Sequence, residues 1–110
     1  MVQVGGKRLT LDDFKAILID GKFVTLDKKA LQNVMAGFEF LQQFSDHKLI
    51  YGINTGFGPM AQYKISNENI LQLQYNLIRS HSSGGGKVLP PQLGKAVMVC
   101  RLNNLMQGYS

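Results

Sequence analysis

Two glycine-rich stretches, each preceded by a side chain able to move a proton, carry most of the chemistry this sequence offers. Tyr51 stands directly before Gly52-Ile53-Asn54-Thr55-Gly56-Phe57-Gly58, and His81-Ser82 stands just before Gly84-Gly85-Gly86. Glycine serves where backbone must turn with positive φ or approach a ligand closely, and successive loop amides can cradle an anion. A phenol and an imidazole at such junctions are candidates for acid–base work. Each also has a plainer reading: Tyr51 as a strand aromatic with its hydroxyl satisfied, His81 as a helix-end imidazole favoured by the helix dipole.

Other site chemistries can be set aside from residue types alone. Gly84-Gly85-Gly86-Lys87 resembles the end of a P-loop, but the first glycine of that pattern would fall at His81, and Val88 stands where a magnesium-binding Ser or Thr belongs. Gly56-x-Gly58-x-x-Ala61 fits a degenerate dinucleotide fingerprint, yet Pro59-Met60-Ala61-Gln62-Tyr63 does not open a periodic helix and no acid lies near position 78 to hold a ribose. Glu68 is the only carboxylate after Asp46, which excludes a carboxylate pair from the loop half. Cys100, His47 and His81 are too thin a set for a closed zinc site, so no metal is expected, and a single cysteine forms no internal disulfide.

The elements that position these loops read as mostly helical. Thr10 and Asp13 form a capping-box-like opening to a short helix carrying Phe14, Ile17 and Leu18, stopped by Asp20-Gly21. A second helix is expected from Thr25, with Leu31, Val34, Met35, Phe38 and Leu41 as its core-facing stripe, closing at Phe44 and Ser45-Asp46. Lys48 to Ile53 reads as a brief strand feeding the first glycine loop. Ser66 is placed to cap a third helix with Ile70, Leu73, Leu77 and His81 on one face, and Gly84-Gly85-Gly86 to end it. Pro90-Pro91 suits the start of a fourth, through Leu93, Val97, Cys100 and Leu105. The expected fold class is therefore mainly α: four helices, one short strand and two glycine loops.

At 110 residues, with 45% hydrophobic and 17% charged residues, the chain can bury roughly two thirds of its unfolded surface in one ordinary core. No apolar run approaches the ~20 residues a bilayer requires, and the N-terminus lacks a signal-peptide pattern, so a cytoplasmic location without membrane contact is expected. The net charge of +5 is unevenly spread: bases and acids balance over residues 1–46, whereas from position 47 Lys48, Lys64, Arg79, Lys87, Lys95 and Arg101 face Glu68 alone. These bases are scattered rather than clustered among aromatics, and no nucleic-acid partner is expected.

The text around the loops resembles one family closely. IYGINTGFGPMAQYKI at 50–65, LQLQYNLIRSHSSGGG at 71–86 and RLNNLMQGYS at 101–110 are similar to the aromatic amino acid ammonia-lyases, which include histidine, tyrosine and phenylalanine lyases and the related aminomutases. Tyr51 to Gly58 matches their Tyr-Gly-x-Asn/Thr-Thr-Gly-Phe-Gly motif throughout. The resemblance implies that Tyr51 is the catalytic base removing a β-proton from a small-molecule substrate, an aromatic amino acid. It also makes Gly52, Asn54, Thr55, Gly56, Phe57 and Gly58 the active-site loop. His81 and Ser82 become the substrate-selecting pair, a combination shared by histidine and tyrosine lyases. An ordinary phenol is only about 0.1% ionised at pH 7, so a phenolate base needs roughly 4 kcal/mol of stabilisation from its surroundings.

The family departs from this sequence in one respect. Its electrophile, a methylidene-imidazolone, forms from an Ala-Ser-Gly tripeptide, and none occurs in these 110 residues. The resemblance therefore implies an N-terminal segment of a larger homotetrameric lyase, whether by truncation, proteolysis or a short gene, with residues 1–46 a helical lead-in and 47–110 the active-site loops and helices. Histidine is the first expected substrate, giving urocanate; tyrosine, or an aminomutase reaction, is the alternative. The chain alone, with no cofactor of its own, is expected to be inactive. A reading of another class is a non-catalytic helical binding or assembly module.

Overall fold

The structure is a computed structural model describing residues 1–109; Ser110, the last residue of the third matching stretch, lies outside the described residues. Its elements in chain order are β1 (Val2–Val4), α1 (Leu11–Leu18), β2 (Val24–Leu26), α2 (Lys28–Ser45), a 3-10 turn (Gly58–Met60), α3 (Asn67–His81) and α4 (Pro91–Leu105). The four expected helices are present, and the fold is mainly α with a small two-stranded sheet.

The chain divides into two compact units, one of Met1–Phe40 with the residues from Val88 onward, the other of Leu41–Lys87. In the first, β1 and β2 pair in parallel, Val2 opposite Val24 and Val4 opposite Leu26, with α1 as the crossover that parallel strands require. The Thr10 hydroxyl accepts from the Asp13 amide while the Asp13 carboxylate accepts from the Thr10 amide, so the capping box closes α1 at its start. Val2, Ile17 and Val99 form the buried cluster, with Leu9, Phe14, Ala16, Leu18 and Val24 packed around it. Burying side chains of this size stabilises by about 2 kcal/mol each. Gly5, at φ +99, lets the chain pass α4, where a Cβ would sit 2.8 Å from the Cβ of Met106.

Several expectations are corrected. No strand forms at Lys48–Ile53: the segment is a series of turns in which the Ile50 carbonyl accepts from the amides of Ile53 and Asn54. The apolar residues there suit a strand, but the Asn54 side chain occupies the backbone groups a ladder would use. The strands lie instead at Val2–Val4 and Val24–Leu26, three residues each and too short for their alternation to stand out in the sequence. Thr25 is therefore in β2, and α2 starts at Lys28, where the Asp27 carboxylate accepts the Ala30 amide at 2.8 Å. Ser66 takes the expected N-cap position of α3, but its hydroxyl makes no capping bond and accepts instead from Asn69 Nδ2.

The stripes expected on α2 and α4 are mostly uncovered, whereas Ile70, Leu73 and Leu77 of α3 are half-buried. Leu31, Met35 and Phe38 of α2 are exposed, and the buried residue of that helix is Ala30. On α4 the expected face of Leu93, Val97, Cys100 and Leu105 is exposed, while Val99 is buried against α1 and Met106 follows the helix as its buried cap. Apolar residues occur on several sides of α4, so periodicity alone could not choose the inward one.

Candidate functional site

The expected site residues before α4 all fall in the unit Leu41–Lys87, and they divide into a rigid frame and two presented side chains. Asn54 and Thr55 are the frame, 2% and 1% exposed, and are the buried polar residues of the described chain. Asn54 Oδ1 accepts from the Ile50 amide at 2.8 Å, and its Nδ2 donates to the carbonyls of Ser45 at 2.9 Å and Lys48 at 2.7 Å. One amide side chain thus ties the end of α2 to the start of the loop. Thr55 accepts the Gly52 amide at 3.3 Å and donates to the Gly56 carbonyl at 2.9 Å, while its backbone bridges to Lys64. These two residues hold the loop's shape; their polar atoms are spent inside it.

The glycines are required here for different reasons. Gly52 (φ +75) and Gly58 (φ +54) occupy the left-handed region, which costs other residues about 1–2 kcal/mol. At Gly56 the constraint is space, since a Cβ would lie 2.7 Å from both the Cβ and the carbonyl oxygen of Met60. The second loop is looser: nothing lies within 4 Å of a Cβ built at Gly84, Gly85 or Gly86, and Gly86 alone of the three has positive φ, +87.

On this frame Tyr51 is 64% exposed. Its ring meets Phe57 edge-on, centroids 5.9 Å apart, and its hydroxyl accepts from the Gly58 amide at 3.4 Å. That contact is long for a neutral pair, but it is the geometry that shortens and strengthens when the acceptor carries negative charge. The nearest described cation along the chain, Lys48, has its ammonium 3.6 Å from the Phe44 ring centroid.

His81 is exposed in the last turn of α3, with Nδ1 2.9 Å from the Leu77 carbonyl and 3.1 Å from Ser80 Oγ. A carbonyl only accepts, which puts a proton on Nδ1 and leaves Nε2 of the neutral ring as an acceptor. Ser82 caps the helix and donates to the Ile78 carbonyl, so its hydroxyl proton is already used. No hydrogen bond or ring contact joins Tyr51 to His81 among the described residues. Nor do the described residues hold a cluster of three or more metal-ligating side chains, and no helix is long and apolar enough to cross a membrane.

Sequence reasoning missed Gln74. Its Nε2 donates to the Gly52 carbonyl at 2.9 Å, tying α3 to the residue beside Tyr51. A glutamine inside a helical pattern carries no signal of such a bond; only the fold brings it to the loop.

The architecture is shared with known ammonia-lyases and aminomutases. The histidine ammonia-lyase from Trypanosoma cruzi superposes with a TM-score of 0.82 at 31% identity, over 97% of this chain and 21% of that one. The tyrosine aminomutase from Streptomyces globisporus superposes with 0.85 at 28% identity, over 97% and 20%. The family model described as aromatic amino acid lyase matches residues 9–110, and the chain belongs to that family. Among curated relatives it is 43% identical to the probable histidine ammonia-lyase of Thermoplasma volcanium and 39% identical to the histidine ammonia-lyase of Streptococcus pyogenes, over 100% of this chain and 22% of each relative. The chain thus spans about a fifth of the length of the curated relatives it matches.

Proposed function

We propose that the chain is the base-bearing N-terminal segment of an aromatic amino acid ammonia-lyase whose first substrate is L-histidine, eliminated without oxidation to ammonia and urocanate. The observation carrying this reading is the rigid glycine loop presenting the Tyr51 phenol to the Gly58 amide. In the reaction the phenolate oxygen of Tyr51 takes the β-proton of the substrate, and the Gly58 N–H donates to that oxygen while it is charged. His81 offers Nε2 to a polar ring, accepting from an imidazole N–H or a phenol O–H. That equivalence, with the structural likeness to a tyrosine aminomutase, sustains the alternative of a tyrosine lyase or aminomutase.

The methylidene-imidazolone of the resembled lyases supplies their electrophile. This chain has no Ala-Ser-Gly from which to form it, so its own contribution is the phenol, the loop amides and the imidazole. Tyr51 at 64% exposed is open to water, and a charged base needs a drier, preorganised setting. Further polypeptide and the other copies of a cytoplasmic homotetramer would supply that enclosure. The uncovered apolar side chains on α2 and α3, Met35, Phe38, Leu71 and Ile78 among them, support such a covering.

The test has two arms. The purified 110-residue protein, free of longer contaminants, forms neither urocanate from histidine nor coumarate from tyrosine. A polypeptide continuing through an Ala-Ser-Gly does turn over, and Tyr51→Phe in it lowers turnover by about 10²–10⁴-fold with folding intact. Product from the short chain, or undiminished turnover in Tyr51→Phe, refutes the assignment.

A further inference from the structure

We infer that Gln74 is a positioning residue that aims the Tyr51 phenol, acting from α3 through the Gly52 carbonyl. The inference deepens the proposed function and rests on its reading of Tyr51 as the base. Gly52 follows Tyr51 directly, and both of its polar backbone groups are fixed: its N–H donates to Thr55 Oγ1 at 3.3 Å, and its carbonyl accepts from Gln74 Nε2 at 2.9 Å. The first tie lies within the loop. The second reaches across 22 residues from a helix, so it alone of the two holds the loop against something outside itself.

Gly52 needs such ties because a glycine populates positive and negative φ about equally. It sits at φ +75, with the Phe57 ring so close that a Cβ on Gly52 would be 3.1 Å from Phe57 Cε1. A change of backbone torsion at Gly52 would turn Tyr51 relative to the rest of the loop and carry its side chain away from the Gly58 amide. Beyond the edge-on contact with Phe57, Tyr51 has little to hold it: it is 64% exposed and its own hydroxyl contact is 3.4 Å long. The backbone beneath the phenol therefore determines its aim, and Gln74, half-buried on α3, is the side chain that braces that backbone. A net hydrogen bond of this kind is worth about tenfold or less in a local opening equilibrium.

The experiment is nuclear magnetic resonance on two samples of the 110-residue chain, one carrying carbon-13 at the tyrosine ζ position and one labelled uniformly with carbon-13 and nitrogen-15, with the Tyr51 resonance identified by its loss in Tyr51→Phe. Gln74→Met keeps the length and removes the donor; Gln74→Glu keeps the shape and puts acceptors where the donor was. Both variants should displace the Tyr51 ζ-carbon and Gly52 carbonyl resonances and speed exchange of the Gly58 amide by about tenfold. The Tyr63 and Tyr109 resonances and the far-ultraviolet circular dichroism should stay as in the parent chain. Tyr51 and Gly58 signals unchanged in both variants, or changes spread evenly over α3 with none selective for Tyr51, would overturn the inference. Should the variants lose helix, the unsubstituted chain decides: scalar coupling across the hydrogen bond from the Gln74 side-chain nitrogen to the Gly52 carbonyl carbon upholds the contact, and its absence refutes it. These spectra report where the phenol points, whereas turnover of Tyr51→Phe reports whether it is the base, so either conclusion can fail without the other.

Discussion

Removing the Asn54 side chain should cost this protein more stability than any other single change in the loop. Asn54→Ala deletes one acceptor and two donor contacts, at 2.8, 2.9 and 2.7 Å, at a residue 2% exposed. Each such bond contributes about 1 kcal/mol net, and each stranded partner that water cannot reach adds about 1–3 kcal/mol. Lys48 is exposed, and water can replace the lost donor at its carbonyl, while Ile50 and Ser45 are half-buried. The three bonds alone therefore put the expected loss at about 3 kcal/mol or more, a large part of the 5–15 kcal/mol typical of a folded domain. Urea unfolding at neutral pH, followed by circular dichroism, gives the total, and exchange of the Ile50 amide locates it. Asn54→Asp sharpens the test, because it keeps the acceptor for Ile50 but turns an oxygen toward the carbonyls of Ser45 and Lys48. The ionised form is disfavoured in the fold, which raises the folded pKa of that carboxyl above its unfolded value of about 3.9. A raised value means that this variant is relatively stable at acid pH and loses stability as pH rises through the folded value. A cost below about 0.5 kcal/mol for Asn54→Ala, within the range of ordinary surface changes, or a pH-independent Asn54→Asp, would refute the account of the loop frame.

Gly56→Ala should destabilise by about 1–3 kcal/mol, since the new methyl would lie 2.7 Å from the Met60 carbonyl oxygen, a backbone atom that cannot rotate away; a stability equal to the parent in the same urea assay would contradict this. By contrast, Gly84→Ala meets nothing within 4 Å and has no positive φ, so its unfolding midpoint should stay within error of the parent. At α1, Thr10→Ala should cost about 1 kcal/mol through loss of the cap, read as faster amide exchange in the first turn. The Thr10 backbone amide, then its hydroxyl, then Lys7 hold the Asp13 carboxyl below its ordinary value. A depressed value contributes stability that is present above the unfolded value and lost as pH falls through the folded one. Thermal midpoints taken between roughly pH 6 and pH 2 should therefore fall less steeply in Asp13→Asn, and an unaltered acid limb would exclude the contribution.

How much could be read in advance depends on the range over which each signal acts. The Thr10–Asp13 box, the start of α4 after Pro90 and the end of α3 near His81 are set by residues within one turn, and they stand in the structure as the sequence suggests. The strand misread at Lys48–Ile53 has a longer-range cause. Asn54 draws the backbone of Ser45, Lys48 and Ile50 around its side chain, and β propensity, which reflects packing on a pleated surface, is overridden where no partner strand exists. The true strands needed each other, Val2–Val4 pairing with Val24–Leu26 across α1, and neither run announces that pairing. At the site, the motif residues Tyr51 to Gly58 and the pair His81-Ser82 lie in one compact unit. The motif does not distinguish frame from presented groups: burial assigns Asn54 and Thr55 to the frame and leaves Tyr51 and His81 at the surface.

Helix α3 makes these two surface groups answer to one another despite the absence of a direct contact. Gln74 and His81 are seven residues apart, two turns along the helix and on nearly the same face, so about 10 Å of axial rise separates the brace on the Tyr51 loop from the imidazole. At one end the helix fixes the peptide beneath the phenol; at the other, the Leu77 carbonyl fixes the ring and tautomer of His81. Register on α3 therefore governs both the aim of the Tyr51 phenol, the proposed base, and the acceptor that His81 presents. A one-residue insertion between Gln74 and His81 would turn the imidazole by about 100° relative to the loop, whereas substitutions at the solvent-facing positions between them leave that relation intact. In a site whose enclosure is proposed to come from other polypeptide, this helix and the Asn54–Thr55 frame are the parts of the geometry that these residues set by themselves.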